Sequence, residues 1–154
     1  MKKSIEKLRE KLKAQLKDIK NIYIGDPILI PASCLPCISI DPVKTETNII
    51  DNQRDSHIHY ISVALIIDAR QYFGKNPKEM VGTSYLMEKM EEEDADGNIK
   101  ENTILGVLRD NLTLESNRTI QNISTIDYTV RRRSEELITL EAVANLQIEY
   151  IVNR

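Results

Sequence analysis

The sequence is poor in the residue types and segments on which several protein classes depend. It has no tryptophan, one phenylalanine and only two cysteines among 154 residues, so its core must come mainly from isoleucine, leucine and valine. No apolar run approaches the roughly 20 residues that a membrane helix needs. The basic start, MKKSIEKLRE, lacks the apolar segment of a signal peptide. We therefore expect an intracellular protein with reduced thiols.

Strong positive charge and catalytic motifs are also missing. The 24 acidic residues outnumber the 21 basic ones, and the formal net charge of −3 argues against a dedicated nucleic-acid binder. The chain contains no nucleophile elbow (GxSxG), P-loop, dinucleotide fingerprint (GxGxxG) or zinc-protease motif (HExxH). Its length is that of one domain, which we expect to span 1–154. These observations favour a protein that is not an enzyme.

The two cysteines form the pair Cys34-x-x-Cys37, which raises the question of zinc or redox chemistry. Two further ligands are available in His57 and His59, although zinc-binding histidines are usually separated by three to five residues. A redox pair would need a helix to follow it, whereas CISIDP has the composition of a strand. We interpret both cysteines as small apolar side chains of a half-buried strand, and keep a zinc-binding module as the minor alternative.

Three segments have helical patterns. In residues 4–20, apolar residues recur every three or four positions on one face, with Ser4 as a plausible N-cap. A second helical stretch opens at Pro77, since proline suits a first helical turn. A short third helix is expected over residues 102–109. Between the last two lies the acidic segment Glu91–Asn98, which we interpret as a solvated loop or frayed helix end.

The remaining segments predict strands. Residues 21–42 have β composition but four prolines, so strands here should be short or lie at a sheet edge. Residues 41–55 are predicted to form an exposed loop. Alternation over 57–67 and on the even positions of 120–130 predicts two strands. The longest alternation, over 138–152, predicts a strand of roughly 50 Å at about 3.3 Å per residue.

These patterns predict an α+β fold. An N-terminal amphipathic helix and a short helical middle pack on a mixed, mainly antiparallel sheet with long strands. Such strands suit an oligomer interface.

The order of these segments also carries a family resemblance. A charged amphipathic helix is followed by LPCISIDP, an irregular segment, RDSHIHYISVALIIDA, a helical middle and a final strand with EAVANLQIEY. In this order the chain resembles the tail terminator (tail-completion) and head–tail joining proteins of long-tailed bacteriophages.

The resemblance implies a structural virion protein that forms a ring, usually of six copies, on the end of the tail tube. The ring stops tube growth and offers a docking surface to the head or its connector. The implied partners are further copies of the chain, the tail tube protein and connector proteins, with DNA only as passing cargo and no membrane. No cofactor and no catalysis are implied. The protein would be assembled in the host cytoplasm and located in the tail or neck of the virion.

Ring interfaces of this type are heterologous, so one face of a subunit meets a different face of the next. We expect the segment 41–55, with Arg54 and Asp55, and the basic cluster Arg131, Arg132 and Arg133 to contact a neighbouring subunit or the tube. Another neck component, an adaptor or a stopper, is the main alternative.

Overall fold

A computed structural model describes residues 1–27, 29–72 and 81–153. The helices are α1 (Lys2–Gln15), α2 (Val81–Glu91) and α3 (Ile104–Asp110). The strands are β1 (Asn21–Ile24), β2 (Cys37–Ile49), β3 (Arg54–Asp68), β4 (Thr113–Glu115), β5 (Arg118–Arg132) and β6 (Ile138–Asn153). The α+β prediction is confirmed. The helix start predicted at Pro77 lies outside the described residues, and α2 is described from Val81.

The six strands form one sheet in the order β1-β2-β3-β6-β5-β4. Only β1 and β2 are parallel, and every other neighbouring pair is antiparallel. The centre is the pair β3–β6, which stays in register from Arg54 opposite Asn153 to Asp68 opposite Thr139. The long strand predicted over 138–152 is therefore confirmed as β6.

The helices cover one face of this sheet, here called the helix face. Its core contains alternate residues of β3 and β6, such as Val63, Leu65, Ala142 and Ala144, packed against apolar residues of α1 and α3. A second, smaller core lies on the opposite face, where Ile30 and Leu35 pack on Cys37, Ala64 and Ile66. None of the helices in the described ranges is long and apolar enough to cross a membrane.

The predicted N-cap of α1 is wrong. The helix begins at Lys2, and Ser4 is fully buried with its hydroxyl 2.8 Å from Nδ1 of His59. The apolar stripe continues past the last helical residue, because Leu16 and Ile19 remain buried beyond Gln15. The stripe thus identified the buried face of the segment but not the two ends of the helix.

The exposed loop predicted over 41–55 is also wrong, because β2 extends to Ile49 and a tight hairpin leads into β3 at Arg54. Residues 42–49 lie beyond the end of β1 and are mostly exposed on both faces. They therefore lack the alternation by which a half-buried strand is recognised. Pro42 lies in this outer stretch, beside a β-bulge that ends at Lys44.

Two bulges change the face assignments in β5. The register against β6 slips between Ile120 and Asn122 and again between Ile123 and Thr125. As a result Ile123 joins Ile120 and Ile126 on the helix face, opposite Leu146. The even-face prediction holds for Ile120, Ile126, Tyr128 and Val130, which oppose the buried even residues of β6.

Replacing Gly106 of α3 by alanine should destabilise the protein, although alanine is the better helix former. A Cβ at this position would lie 2.1 Å from the backbone oxygen of Lys100. Overpacking of this kind costs about 1–3 kcal/mol, which exceeds the helix propensity gain of about 1 kcal/mol. Urea unfolding should show a lower free energy of unfolding for Gly106→Ala than for the exposed control Asp110→Ala. Equal stability of these two variants would contradict the packing shown here.

Candidate assembly surface

Both edges of the sheet expose long stretches of strand with no partner among the described residues. On one edge, β1 pairs only with Cys37–Ile40, so the outer side of residues 41–49 of β2 is open. On the other edge, β4 pairs with Arg118 and Thr119, and Leu112 accepts a hydrogen bond from the Ile120 amide, so residues 121–132 of β5 are open. Open edges present backbone donors and acceptors to which another strand can pair.

Large apolar side chains accompany these edges. Ile24 is 48% exposed on β1, and Tyr128 and Val130 are 37% and 63% exposed on β5. Beside β5, on the helix face, lies a groove of about 370 Å³. The groove is lined by Glu91, Leu105, Arg109 and residues 123–126. The edges therefore combine unpaired backbone with apolar surface, a combination found at protein interfaces.

The basic cluster divides between surface and interior. The Arg133 side chain is only 4% exposed, and its guanidinium lies 2.6 Å from Oδ1 of Asp26 and 2.7 Å from Oε1 of Glu141. It thus links the segment after β1 to β6 inside the subunit. Arg131 is half exposed and also contacts Asp26, at 2.7 Å, while Arg132 is exposed. Only Arg131 and Arg132 offer surface to a partner, and that role stays a prediction.

The other predicted contact residues, Arg54 and Asp55, lie at the opposite end of the sheet. Arg54 pairs with Asn153 in the register, and Arg131 pairs with Thr139, so 14 residues of β6 separate them, about 46 Å. Asp51 organises the hairpin tip, because its carboxylate accepts hydrogen bonds from the Gln53 amide and the Arg54 guanidinium. These bonds lower the pKa of Asp51. The structure therefore does not bring the two predicted contact regions together, and an interface role for Arg54 and Asp55 also stays a prediction.

The four residues of the zinc alternative do not converge. Cys37 pairs with Ile66, seven residues from His59 along β3, so the cysteine and histidine lie on opposite faces and about 23 Å apart along the strand. No group of three or more histidine, cysteine or acidic side chains in the described ranges can hold a metal ion. The zinc interpretation is therefore wrong.

The cysteines also differ from each other. Cys37 is a fully buried strand residue, as expected, and burial raises the pKa of its thiol to about 12. Cys34 is half-buried in a short 3₁₀ turn, Ala32–Cys34, rather than in a strand.

A buried histidine cluster lies where α1 crosses the sheet. The ring of His59 is 3% exposed, with Nδ1 near Ser4 and Nε2 3.0 Å from the α-amino nitrogen of Met1. The Tyr150 ring contacts the rings of both His57 and His59, each with its centroid 6.2 Å away. The guanidinium of Arg118 lies 3.9 Å from the centre of the tyrosine ring. Burial, followed by the nearby positive charges, lowers the pKa of His59 to about 4. The sequence pattern gives no signal for this arrangement, because the residues that contact His59, Met1 and Ser4, are more than 50 positions away along the chain.

We expect Arg133→Met to cost about 3–5 kcal/mol of stability, because it removes one partner of a buried ion pair and leaves Glu141 without its cation. The matched control is Arg132→Met, an exposed change expected to alter stability by no more than about 0.5 kcal/mol. Thermal unfolding of both variants measures the difference. Similar melting temperatures for the two would show that Arg133 is not the internal link described above.

The free energy of unfolding should fall as pH drops from about 6.5 to about 4, since His59 has an ordinary pKa of 6.5 in the unfolded chain and about 4 in the folded one. In this window the unfolded state binds the proton and the folded state does not, so the loss is at most about 1.4 kcal/mol per pH unit. His59→Gln should flatten the pH dependence of urea unfolding, and His57→Gln should retain it. An unchanged slope in His59→Gln would refute this assignment.

Similarity to known proteins is found at the level of structure. No family model and no curated protein matches the sequence. Among solved structures, the chain is similar to a chain in the virion of a native gene transfer agent particle, with 13% sequence identity and a TM-score of 0.37. That similarity covers 92% of this chain and 91% of the other.

Proposed function

We propose that this protein is a structural component of a phage-type virion that closes into a ring, caps the end of the tail tube and offers a docking surface to the head or its connector. Two observations support the proposal. The order of segments resembles that of the tail terminator proteins, and the described residues leave both edges of a long-stranded sheet open. The open edges carry most weight, because they give each subunit two different surfaces for its two neighbours.

The directions of the edge strands suit a closed ring. β1 and β2 are parallel to each other, and alternation across β3 and β6 makes both of them antiparallel to β5. When a copy is rotated about an axis roughly along the strands, its β1–β2 edge meets the β5 edge of the first copy in antiparallel orientation. Such a contact is heterologous, and heterologous contacts close into rings when the rotation divides a full turn.

A ring of this kind would turn the two ends of the sheet toward opposite sides of the particle. One end carries the hairpin tip, where Ile49 and Ile50 are 73% and 46% exposed beside Arg54 and Asp55. The other end carries Arg131 and Arg132. We assign these ends to the two axial partners, the tail tube and the connector, without assigning which end meets which partner.

The proposed role needs no catalysis and no cofactor, and DNA passes through the ring as cargo. A net charge of −3 suits a surface that does not retain DNA. An adaptor or stopper role in the same neck would use the same edges. Binding decides between these roles, since a terminator binds tube ends and an adaptor binds the connector.

Light scattering of the purified protein over a concentration range, with and without tail tubes that lack their natural end, tests the proposal. We expect one defined multiple of the subunit mass, near six copies, alone or on the tubes. The matched control uses tubes that already carry their natural end, which should bind no further protein. A protein that stays monomeric at all concentrations and does not bind tube ends would contradict the ring and its position on the tail.

A further inference from the structure

The two edges of the sheet have complementary outlines. β1 is short and pairs only with Cys37–Ile40, so it covers only the part of its edge nearer the end of the sheet with Arg131 and Arg132. β4 is short as well and pairs only with Arg118 and Thr119, so it covers only the part of the opposite edge nearer the hairpin tip. A set of residues that lie opposite one another on successive strands is here called a row. The rows show where β1 and β4 lie relative to each other along the strands. The β1 rows meet β5 at residues 126–129, and the β4 residue Thr113 lies in the row that meets β2 at Glu46.

Two complete rows define the alignment. The first contains, in order across the sheet, Ile24, Ile40, Val63, Ala144 and Ile126. The second contains Ile22, Ile38, Leu65, Ala142 and Tyr128. If a second copy is placed beside the first with its rows level, β1 of the second copy and β4 of the first occupy one strand position without overlapping.

We propose, on the basis of the ring function above, that β1 of one copy pairs with residues 126–129 of β5 in the next copy. The pairing is antiparallel, with Ile24 opposite Ile126 and Ile22 opposite Tyr128. The occupant of the β5 edge is thus a second copy of this chain.

The β5 edge is built to accept a strand at this level. Both bulges of β5 lie before Thr125, and from there to Arg132 the register against β6 is regular. A regular stretch keeps its outward backbone groups evenly placed for a new partner, whereas bulges interrupt pairing. The four residues level with β1, 126–129, therefore lie within the open part of β5 that is free of bulges.

Side chains agree with the backbone. In level rows Ile24, which is 48% exposed, faces the same side of the sheet as Ile126. That side holds the groove lined by Leu105, Ile123 and Ile126, so the exposed isoleucine of one copy would enter the groove of the next. Tyr128, 37% exposed, would gain Ile22 as a cross-strand neighbour. Pairing would thus cover apolar surface on both edges at once.

Disulfide cross-linking tests this pairing in a Cys34→Ser background, in which the remaining native thiol, Cys37, is fully buried. The test protein carries Ile24→Cys and Ile126→Cys, which the proposal places opposite each other between copies. The matched control carries Ile24→Cys and Asp127→Cys, because residues 126 and 127 point to opposite faces. Mild oxidation should give a ladder of covalent multimers on non-reducing gels for the test pair, at least tenfold stronger than for the control, and reductant should remove it.

A second variant does not depend on replacing the partly buried Ile126. Ile24→Glu places a charge in the proposed contact, and Ala14→Glu places the same charge on the exposed side of α1, outside this contact and outside both ends of the sheet. Circular dichroism melting should show both variants folded like the wild type. The first should lose the higher-mass species seen by light scattering, and the second should keep them.

The outcomes separate this interface from the ring function. A ladder in the test pair together with a defined ring supports both, and a ladder without a closed ring supports the edge pairing while counting against the ring. A defined ring with no ladder, or with equal ladders in test and control, overturns the pairing and leaves the ring function standing. A ring that persists in Ile24→Glu also overturns the pairing. If neither ring nor ladder forms, with or without tubes, both proposals fail.

Discussion

The register of the β3–β6 pair is the constraint on which the rest of the structure depends. Fifteen residue pairs join these two strands, and a slip of one residue would exchange the two faces of the sheet. The present register places Val63, Leu65, Ala142 and Ala144 under the helices. It also places Ala64 and Ile66 beneath the second, smaller core. Every other strand takes its level from this pair, including the edge strands on which assembly is proposed to depend.

The edges of this sheet leave long stretches of strand unpaired within the described residues, yet only part of each edge is suited to pairing with another chain. Proteins commonly protect open strands with proline, bulges and charge. Here Pro42 and the adjacent bulge interrupt β2, and two bulges interrupt the first half of β5. The second half of β5 has no such interruption. The bulges disfavour pairing along the first half of β5, and the regular second half favours it. The β5 edge therefore has one preferred position for a partner strand, as the proposed interface between identical subunits requires.

The sequence predicted the elements that have one buried face. β3, β6 and the buried stripe of α1 repeat apolar residues with a regular period, and each was located correctly. The outer half of β2 was missed because residues beyond β1 have no buried face, so nothing alternates there. The bulges of β5 were missed for a related reason, since a change of face at Ile123 follows from pairing with β6 and leaves no local signal.

The candidate site was less predictable than the fold. Arg131, Arg132 and Arg133 are consecutive and chemically identical in sequence, yet the third is buried because Asp26 and Glu141 converge on it from distant segments. The cysteines and histidines differ in the opposite way. Their residue types suggest one metal site in the sequence, but the fold places them on two faces of the sheet. The complementary edges could not be foreseen at all, because they depend on which strands are neighbours and where each of them ends.

The central claim is that subunits assemble through the edges of their sheets, and amide hydrogen exchange of dilute and assembled protein tests it most directly. The outward amides of β1 and of residues 126–129 lack partners among the described residues and should become protected on assembly. Those of the β3–β6 pair should stay protected throughout. Assembly that protects only the hairpin tip around Ile49 and Ile50, or only the helices, and leaves both edges exchanging as before would contradict the account.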